Sequence, residues 1–331
     1  MMATVPEAAT QDQFAADTTR FRRELLAHCY RMSGSVHEAD DLVQETYLRA
    51  WRSYATFEGR SSIRSWLYKI ATNVCLTALE SRQRRVLPSG LTGPSDGPDH
   101  PPTQVAPGEV SWLEPLPDHW IAPAGDDPAA VFVARQSVRL ALIASMQVLP
   151  ARQRAIFILR DVLTFSADET SAVLGTTVAA VKSGLQRARA RLQEMETVPE
   201  GLLEPTDPRA RELLDGYIAA FERSDTDLLV NVLRADAVLE ATPFRDWQSG
   251  RANCLRMLAT YVLGAPGTWR MRATAANGQP AAAVYRRDRH HTLRASDIVV
   301  LAATATGISR VSAFHDPSLL ALFGFPATLE G

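Results

Sequence analysis

Lys182, Ser183, Gln186 and Arg187 stand at spacings that place them on one face of a helix, with Arg189 and Arg191 beside them. Guanidinium forks pair with guanine or phosphate, and a glutamine amide pairs with adenine. A face of these types is therefore suited to reading a nucleic-acid groove rather than to making or breaking bonds. The same segment carries Val178, Val181, Leu185, Ala188 and Leu192 at alternating spacings of three and four, which gives it a buried back. Thr177 caps its start. Upstream, Ser166 and Glu169 fit a capping box, Val173 and Leu174 supply an apolar edge, and Gly175 closes that helix. Two capped helices joined by a short turn spell a helix-turn-helix over 166–192.

Two further segments carry ordered polar faces. From His37 to Tyr54, Ala39, Leu42, Val43, Thr46, Tyr47, Ala50 and Trp51 form an apolar stripe. Opposite it lie Asp40, Asp41, Gln44 and Glu45, an acidic face that repels nucleic acid and suits a basic protein partner. After a polar loop at 57–61, a second stripe runs through Ile63, Trp66, Leu67, Ile70, Ala71, Val74, Cys75, Ala78 and Leu79. The spacing predicts that this helix ends in Arg82, Gln83, Arg84 and Arg85, where cations complement the helix dipole. Residues 14–85 thus read as a helical bundle, and 135–195 as a second all-α module containing the helix-turn-helix.

Between them the composition changes. Residues 86–134 contain no Lys or Arg, seven Asp or Glu and half of the chain's 20 prolines. This composition predicts an extended acidic linker. One apolar island, Trp112, Leu113 and Pro115, is expected to dock on another surface, because exposed apolar groups gain from burial. Pro199, Pro205 and Pro208 mark another joint. From 207 to 331 the pattern is α+β, with helices expected over 209–222, 226–234 and 250–263. Strands are expected over 268–275, 281–287, 295–304 and 307–314, with Asn277-Gly278 as a hairpin turn. His290, His291, His315, Asp316, Asp236 and Glu240 are the acid–base candidates of this domain.

The bulk numbers bound these readings. The chain has 331 residues, 46% hydrophobic and 22% charged, with a formal net charge of −2, so nucleic-acid binding must come from local patches. Arginine outnumbers lysine 33 to 2, which favours bidentate contacts where arginines cluster. Cys29, Cys75 and Cys254 lack ligand spacing and read as core thiols; no metal, cofactor or disulfide framework is expected. The N-terminus lacks a signal-type apolar region and no apolar run is long enough to span a bilayer, which predicts a cytoplasmic protein away from the membrane.

HEADDLVQETYLRAW at 37–51, FEGRSSIRSWLYKIATNVCLTALESRQRR at 57–85 and the helix-turn-helix at 166–192 together resemble a bacterial sigma factor of the extracytoplasmic-function group. The C-terminal third resembles a SnoaL-like domain, a cone-shaped α+β fold related to nuclear transport factors and small polyketide cyclases. Trp112-Leu113-Glu114-Pro115 looks like a motif of sigma factors that carry such an extension. The resemblance implies a multidomain chain of two all-α modules followed by this α+β domain. It implies a factor that binds core RNA polymerase, through the clamp helices of the largest subunit and the flap, and selects promoter DNA.

Residue by residue, Asp40, Asp41, Gln44 and Glu45 match the surface that grips the clamp. Arg60, Asn73, Arg82, Arg84 and Arg85 match the reader of the minus-ten element, and Lys182, Ser183, Gln186, Arg187 and Arg189 that of the minus-thirty-five element. Two positions depart from the pattern: Gly184 stands where arginine is frequent, and Thr170 where the residue is usually aliphatic. Trp112, Leu113 and Pro115 are assigned to regulatory docking of the linker, and the C-terminal domain to control of the sigma modules, with an unidentified small ligand in its pocket. Two other readings are a ligand-responsive helix-turn-helix repressor and a SnoaL-like isomerase or cyclase fused to a DNA-binding module. The acidic face on 37–54 speaks against the repressor, which needs no such surface.

Overall fold

The computed structural model describes residues 7–59, 61–80, 82–97, 100–121, 128–194 and 201–329. The chain divides into two compact units interleaved along its length. The first comprises 1–84, 119–138 and 145–196, and the second 85–118, 139–144 and 197–331.

In the first unit, α1 (Glu7–Thr18), α2 (Arg22–Ser33), α3 (Val36–Tyr54) and α4 (Ile63–Leu79) form the N-terminal bundle. Local chemistry sets their ends. Gly34 closes α2 in the left-handed region at φ 73°, and Ser35 then caps α3 by accepting from the Glu38 amide. Leu25, Cys29, Tyr30, Met32, Val43, Leu67, Ala71 and Cys75 are fully buried or nearly so. The Cys29 thiol is held well above its ordinary pKa by a hydrogen bond with Cys75 and by burial, as an inert core thiol would be. Three short helices follow in the chain: α5 (Asp118–Ile121), α6 (Pro128–Gln136) and α7 (Leu140–Met146). Then come α8 (Ala151–Phe157), continued by a π-helical turn over Ile158–Val162, α9 (Ala167–Leu174) and α10 (Val178–Gln193).

The sequence reads as two separate helical modules, but the structure packs their helices into one unit. Tyr68 of α4 meets Phe165, just before α9, edge to face with ring centroids 5.2 Å apart, and the Arg64 guanidinium lies over both rings. A second difference concerns α4, which stops at Leu79 rather than running to Arg85. The chain beyond it is drawn into a bridge between Val86 and Trp112, which takes Arg82, Arg84 and Arg85 off the helix.

The second unit begins its main body with α11 (Pro208–Arg223) and α12 (Thr226–Val232), then β1 (Leu233–Thr242), β2 (Gln248–Ser249) and α13 (Arg251–Met257), which runs on as a π-helical turn to Val262. Next come β3 (Trp269–Ala276), β4 (Gln279–Arg287), β5 (Leu293–Thr304), β6 (Gly307–Phe314), α14 (Pro317–Leu322) and β7 (Thr328–Leu329). The sheet order is β2-β1-β6-β5-β4-β3, with β7 on β5. Asn277 and Gly278 both take positive φ, 57° and 65°, as the expected hairpin turn requires. The expected antiparallel sheet is in fact mixed, because β1 pairs parallel with β6. Tyr217, Phe221, Leu229 and Cys254 pack with the sheet residues Met271, Val284 and Leu301 in one core.

His28, wholly buried between α2 and α4, shares a 3.0 Å hydrogen bond with Thr72. Burial, reinforced by the Arg31 charge, holds its imidazole at about 3 against an ordinary 6.5. Between those values the unfolded chain binds the proton and the folded one does not. The stability His28 contributes is therefore present above pH 6.5 and lost as the pH falls towards 3. We expect the first unit to lose about 1.4 kcal/mol per pH unit below 6.5 from this group, and His28→Gln to flatten that slope in denaturant titrations run across the range.

Candidate nucleic-acid interface

The helix-turn-helix is built as its local chemistry dictates. Ser166 and Glu169 form the reciprocal capping box, Gly175 turns the chain at φ 58°, and Thr177 caps α10 through the Ala180 amide. Val181, Leu185 and Ala188 are buried, and Lys182, Ser183, Gln186 and Arg187 are exposed together on the opposite side. Arg187 donates to Ser183 Oγ at 3.3 Å, a long contact that leaves the fork available. Arg189 differs from its neighbours. Its Nε and Nη2 donate to both carboxylate oxygens of Asp161 at 2.8 and 2.7 Å, fastening α10 to the π-helical turn.

The two departures from the family pattern have structural reasons. Gly184 is buried on the packing side of α10, where a Cβ would lie 2.6 Å from Ile156 Cδ1. It lets α8 approach rather than leaving a gap in the exposed face. Thr170 is wholly buried and its hydroxyl donates to the Ser166 carbonyl at 2.8 Å, so the polar atom is satisfied.

On α4, Asn73 is exposed, and Trp66 packs against Phe57 at 4.8 Å between ring centroids. Arg60 lies outside the described residues. The three arginines after α4 have separate surroundings: Arg82 forms an ion pair with Glu38, Arg84 is exposed, and Arg85 donates to the Trp112 carbonyl at 2.6 Å and lies 3.6 Å from Glu114. Arg82 and Arg85 thus have protein partners in this structure. On α3, Asp41 and Gln44 are exposed. Asp40 accepts from Arg22 and Gln44 at 2.8 Å, and Glu45 pairs with Arg49 at 2.6 Å.

The acidic stretch departs most from expectation. Residues 85–118 belong to the second unit instead of forming a free linker. Val86 donates to Ser111 and Leu113 donates back to Val86, both at 3.0 Å. Leu116 donates to Asn277 Oδ1 at 2.8 Å, and Gly278 donates to Asp118 Oδ1 at 2.7 Å. Leu113 and Leu116 are fully buried and Pro115 is buried, whereas Trp112 is only half-buried. Proline-rich composition prevents self-folding but not docking on a preformed surface.

The six acid–base candidates do not converge. Glu240, 1% exposed, accepts from Arg310 at 2.8 Å, Ser312 at 3.0 Å and the Ser89 amide at 3.2 Å, so it anchors the 85–118 segment. Asp236 pairs with Arg234, Asp316 caps α14, and His290 and His291 lie exposed in the turn before β5. Of the six, His315 lines a cavity of about 320 Å³ with its Nδ1 against Asp297, and His315 and Asp316 both line a second, shallower cavity beside the 104–114 stretch. Asp297 and Gln248, which also line the first cavity, were not among the expected residues. Neither carries a local motif to mark it.

Comparison with known proteins agrees with this geometry. Residues 18–85 match the family described as Sigma-70 region 2, and residues 139–192 match Sigma-70, region 4. The chain is 47% identical over 328 residues to the ECF RNA polymerase sigma factor SigG of Mycobacterium tuberculosis, covering 98% of this chain and 87% of that protein. It is 30% identical over 216 residues to SigJ of the same organism, covering 65% of this chain and 60% of that one. The crystal structure of Mycobacterium tuberculosis SigJ superposes with a TM-score of 0.60 at 22% identity, covering 96% of this chain and 99% of that one.

Because Leu113 is wholly buried, Leu113→Ala should destabilise the seating of the 85–118 segment by about 2–5 kcal/mol. Amide exchange at Val86 and Leu113 should quicken accordingly, while exchange in α2 and α3 of the first unit should not change.

Proposed function

The chain belongs to the extracytoplasmic-function RNA polymerase sigma factors, and on that premise we propose how its surfaces share the work of promoter-specific initiation. The factor binds core RNA polymerase and directs it to promoters, acting by binding rather than turnover, in the cytoplasm where polymerase works. The observation that carries the reading is the exposed Lys182, Ser183, Gln186 and Arg187 face on a doubly capped helix-turn-helix, in a chain that matches both sigma regions in order.

In this reading α10 enters the major groove of the minus-thirty-five element. Gln186 and Arg187 meet base edges, and Lys182 and Ser183 meet base edges or phosphates. The exposure of all four supports it. Asn73 on α4 reads the minus-ten element, with Arg60, Arg82, Arg84 and Arg85 following the phosphates. Arg82 and Arg85 must first exchange Glu38 and Glu114 for phosphate. Asp40, Asp41, Gln44 and Glu45 grip the clamp helices of the largest subunit, and the region around α8–α10 meets the flap. The SnoaL-like C-terminal domain controls the sigma modules through the docked segment carrying Trp112, Leu113 and Pro115.

Elements centred 25 base pairs apart are separated by about 85 Å along B-form DNA. A compact unit of about 150 residues has a radius of gyration near 15 Å and a diameter of about 40 Å. The first unit, which contains both α4 and α10, therefore cannot reach both elements in its closed form and must open on the polymerase.

Charge reversal at the exposed acid tests the polymerase surface. Asp41→Lys with Glu45→Lys should weaken core polymerase binding at least tenfold in a fluorescence titration, with an unchanged melting temperature. Unaltered affinity would remove this face from the interface.

For the DNA surface, Arg187→Ala should cost about 1–3 kcal/mol of upstream-element affinity and relax the preference at one base position. Arg189→Ala should loosen α10 from the π-helical turn and leave base preference unchanged, since its fork is filled by Asp161. A panel of single-base promoter variants in transcription assays separates the two outcomes.

A further inference from the structure

The second unit holds a cavity of about 320 Å³ that is partly open to solvent. Phe221, Phe244, Trp247 and Trp269 contribute aromatic wall, and the π-helical turn after α13 contributes Tyr261 and Val262. Such turns recur at functional sites because they displace side chains from regular helical positions. A cavity of roughly 150 Å³ holds one benzene ring. Twice that volume fits a molecule of two rings.

One side-chain amide in this wall lacks partners. Gln248 is 1% exposed, and neither its amide nitrogen nor its amide oxygen has a hydrogen-bond partner. Buried amides are nearly always paired, so one facing a cavity calls for a guest that both donates and accepts. Asp297, 3% exposed and held against His315, adds a second buried acceptor to the same wall. A hydroxyl group meets both demands.

The wall is also tied to the acidic segment. Pro102 lines the cavity directly. Its neighbours are bonded to the stretch 243–247, which supplies Phe244, Asp246 and Trp247 to the lining. Thr103 donates to Asp246 at 2.6 Å and Val105 to Pro243 at 2.9 Å, Ser95 donates to the Trp247 carbonyl at 2.9 Å, and the Trp247 indole donates to Thr92 at 2.9 Å.

We propose that this cavity is a receptor site for a two-ring, largely apolar small molecule bearing one hydroxyl, and that its occupancy holds the segment around Pro102 seated on the C-terminal unit. Gln248 reads the hydroxyl, the aromatic wall holds the rings, and Pro102 makes the seated segment part of the site. A guest that binds only the seated state favours seating by the factor 1 + [L]/Kd.

The test uses the full-length chain with 2-naphthol and naphthalene as probes. Calorimetry should show saturable binding of 2-naphthol. Gln248→Leu should weaken it about tenfold and leave naphthalene within twofold, since only the hydroxyl contact is lost. Ala313→Phe, which fills the cavity from β6, should abolish binding of both probes and serves if Gln248→Leu does not fold. At ten times Kd, amide exchange at Ser95 and Val105 should slow about tenfold. The proposal is overturned by absence of saturable 2-naphthol binding, by binding that survives Ala313→Phe, or by unchanged exchange at those amides under saturation. None of these readouts involves transcription, so failure here leaves the sigma-factor assignment standing.

Discussion

A buried guanidinium holds the first unit together. Arg154 of α8 is 5% exposed and donates to the Met32 carbonyl in the last turn of α2, to the Gln147 side chain and carbonyl, and to the Leu149 carbonyl. Burial pulls its pKa down to about 10, which still leaves it charged at neutral pH. A charge taken from water is costly unless dipoles replace the hydration, and the carbonyl end of a helix provides them. Arg31 repeats the device, donating to the backbone and hydroxyl of Ser137. The contact between the two sigma regions is thus partly ion–dipole. Water can supply the same hydrogen bonds when the contact opens, so separation costs less than parting an apolar interface of equal area would.

That balance suits the opening proposed above. The Arg64 stack on Tyr68 and Phe165 behaves in the same way, because an arginine over aromatic rings loses little on moving to phosphate. Within each half the packing is of a different kind. Cys29, Tyr30, Leu67 and Ala71 are wholly excluded from water, as are Val181 and Ala188 behind the recognition face. Each half therefore keeps its own apolar core when the polar contacts between them part.

What could be read in the sequence follows the range of the forces involved. The helix-turn-helix was legible because caps, stripes and turn glycines act within four residues, and Ser166, Glu169, Gly175 and Thr177 all take the roles their types imply. The Asn277-Gly278 hairpin was legible for the same reason. Strand β1 was not. Leu233–Thr242 is rich in Ala and Leu, good helix formers, and becomes a strand by pairing with β6 some seventy residues later. The seating of 85–118 was legible only as an apolar island without a partner, and its burial falls on Leu113 and Pro115 more than on Trp112. Gln248 and Asp297 left no trace, since their significance lies in a cavity assembled from many separate stretches of chain.

The order of segments gives the docked stretch its leverage. Residues 85–118 lie in sequence between the two sigma regions yet belong to the second unit. Fully released, the roughly fifty residues of 86–134 reach about 170 Å, twice the separation of the two promoter elements. Seated, most of that length is held by fixed hydrogen bonds from Val86 to Asp118. Under the function proposed above, a seated segment leaves less chain to span the two promoter elements than a released one. Glu240 is central to this arrangement. Its single buried carboxylate joins β1 to Arg310 and Ser312 of β6 and to Ser89 of the segment, so sheet and tether share one anchor. Because the contacts to that segment are intramolecular, even weak bonds keep it populated.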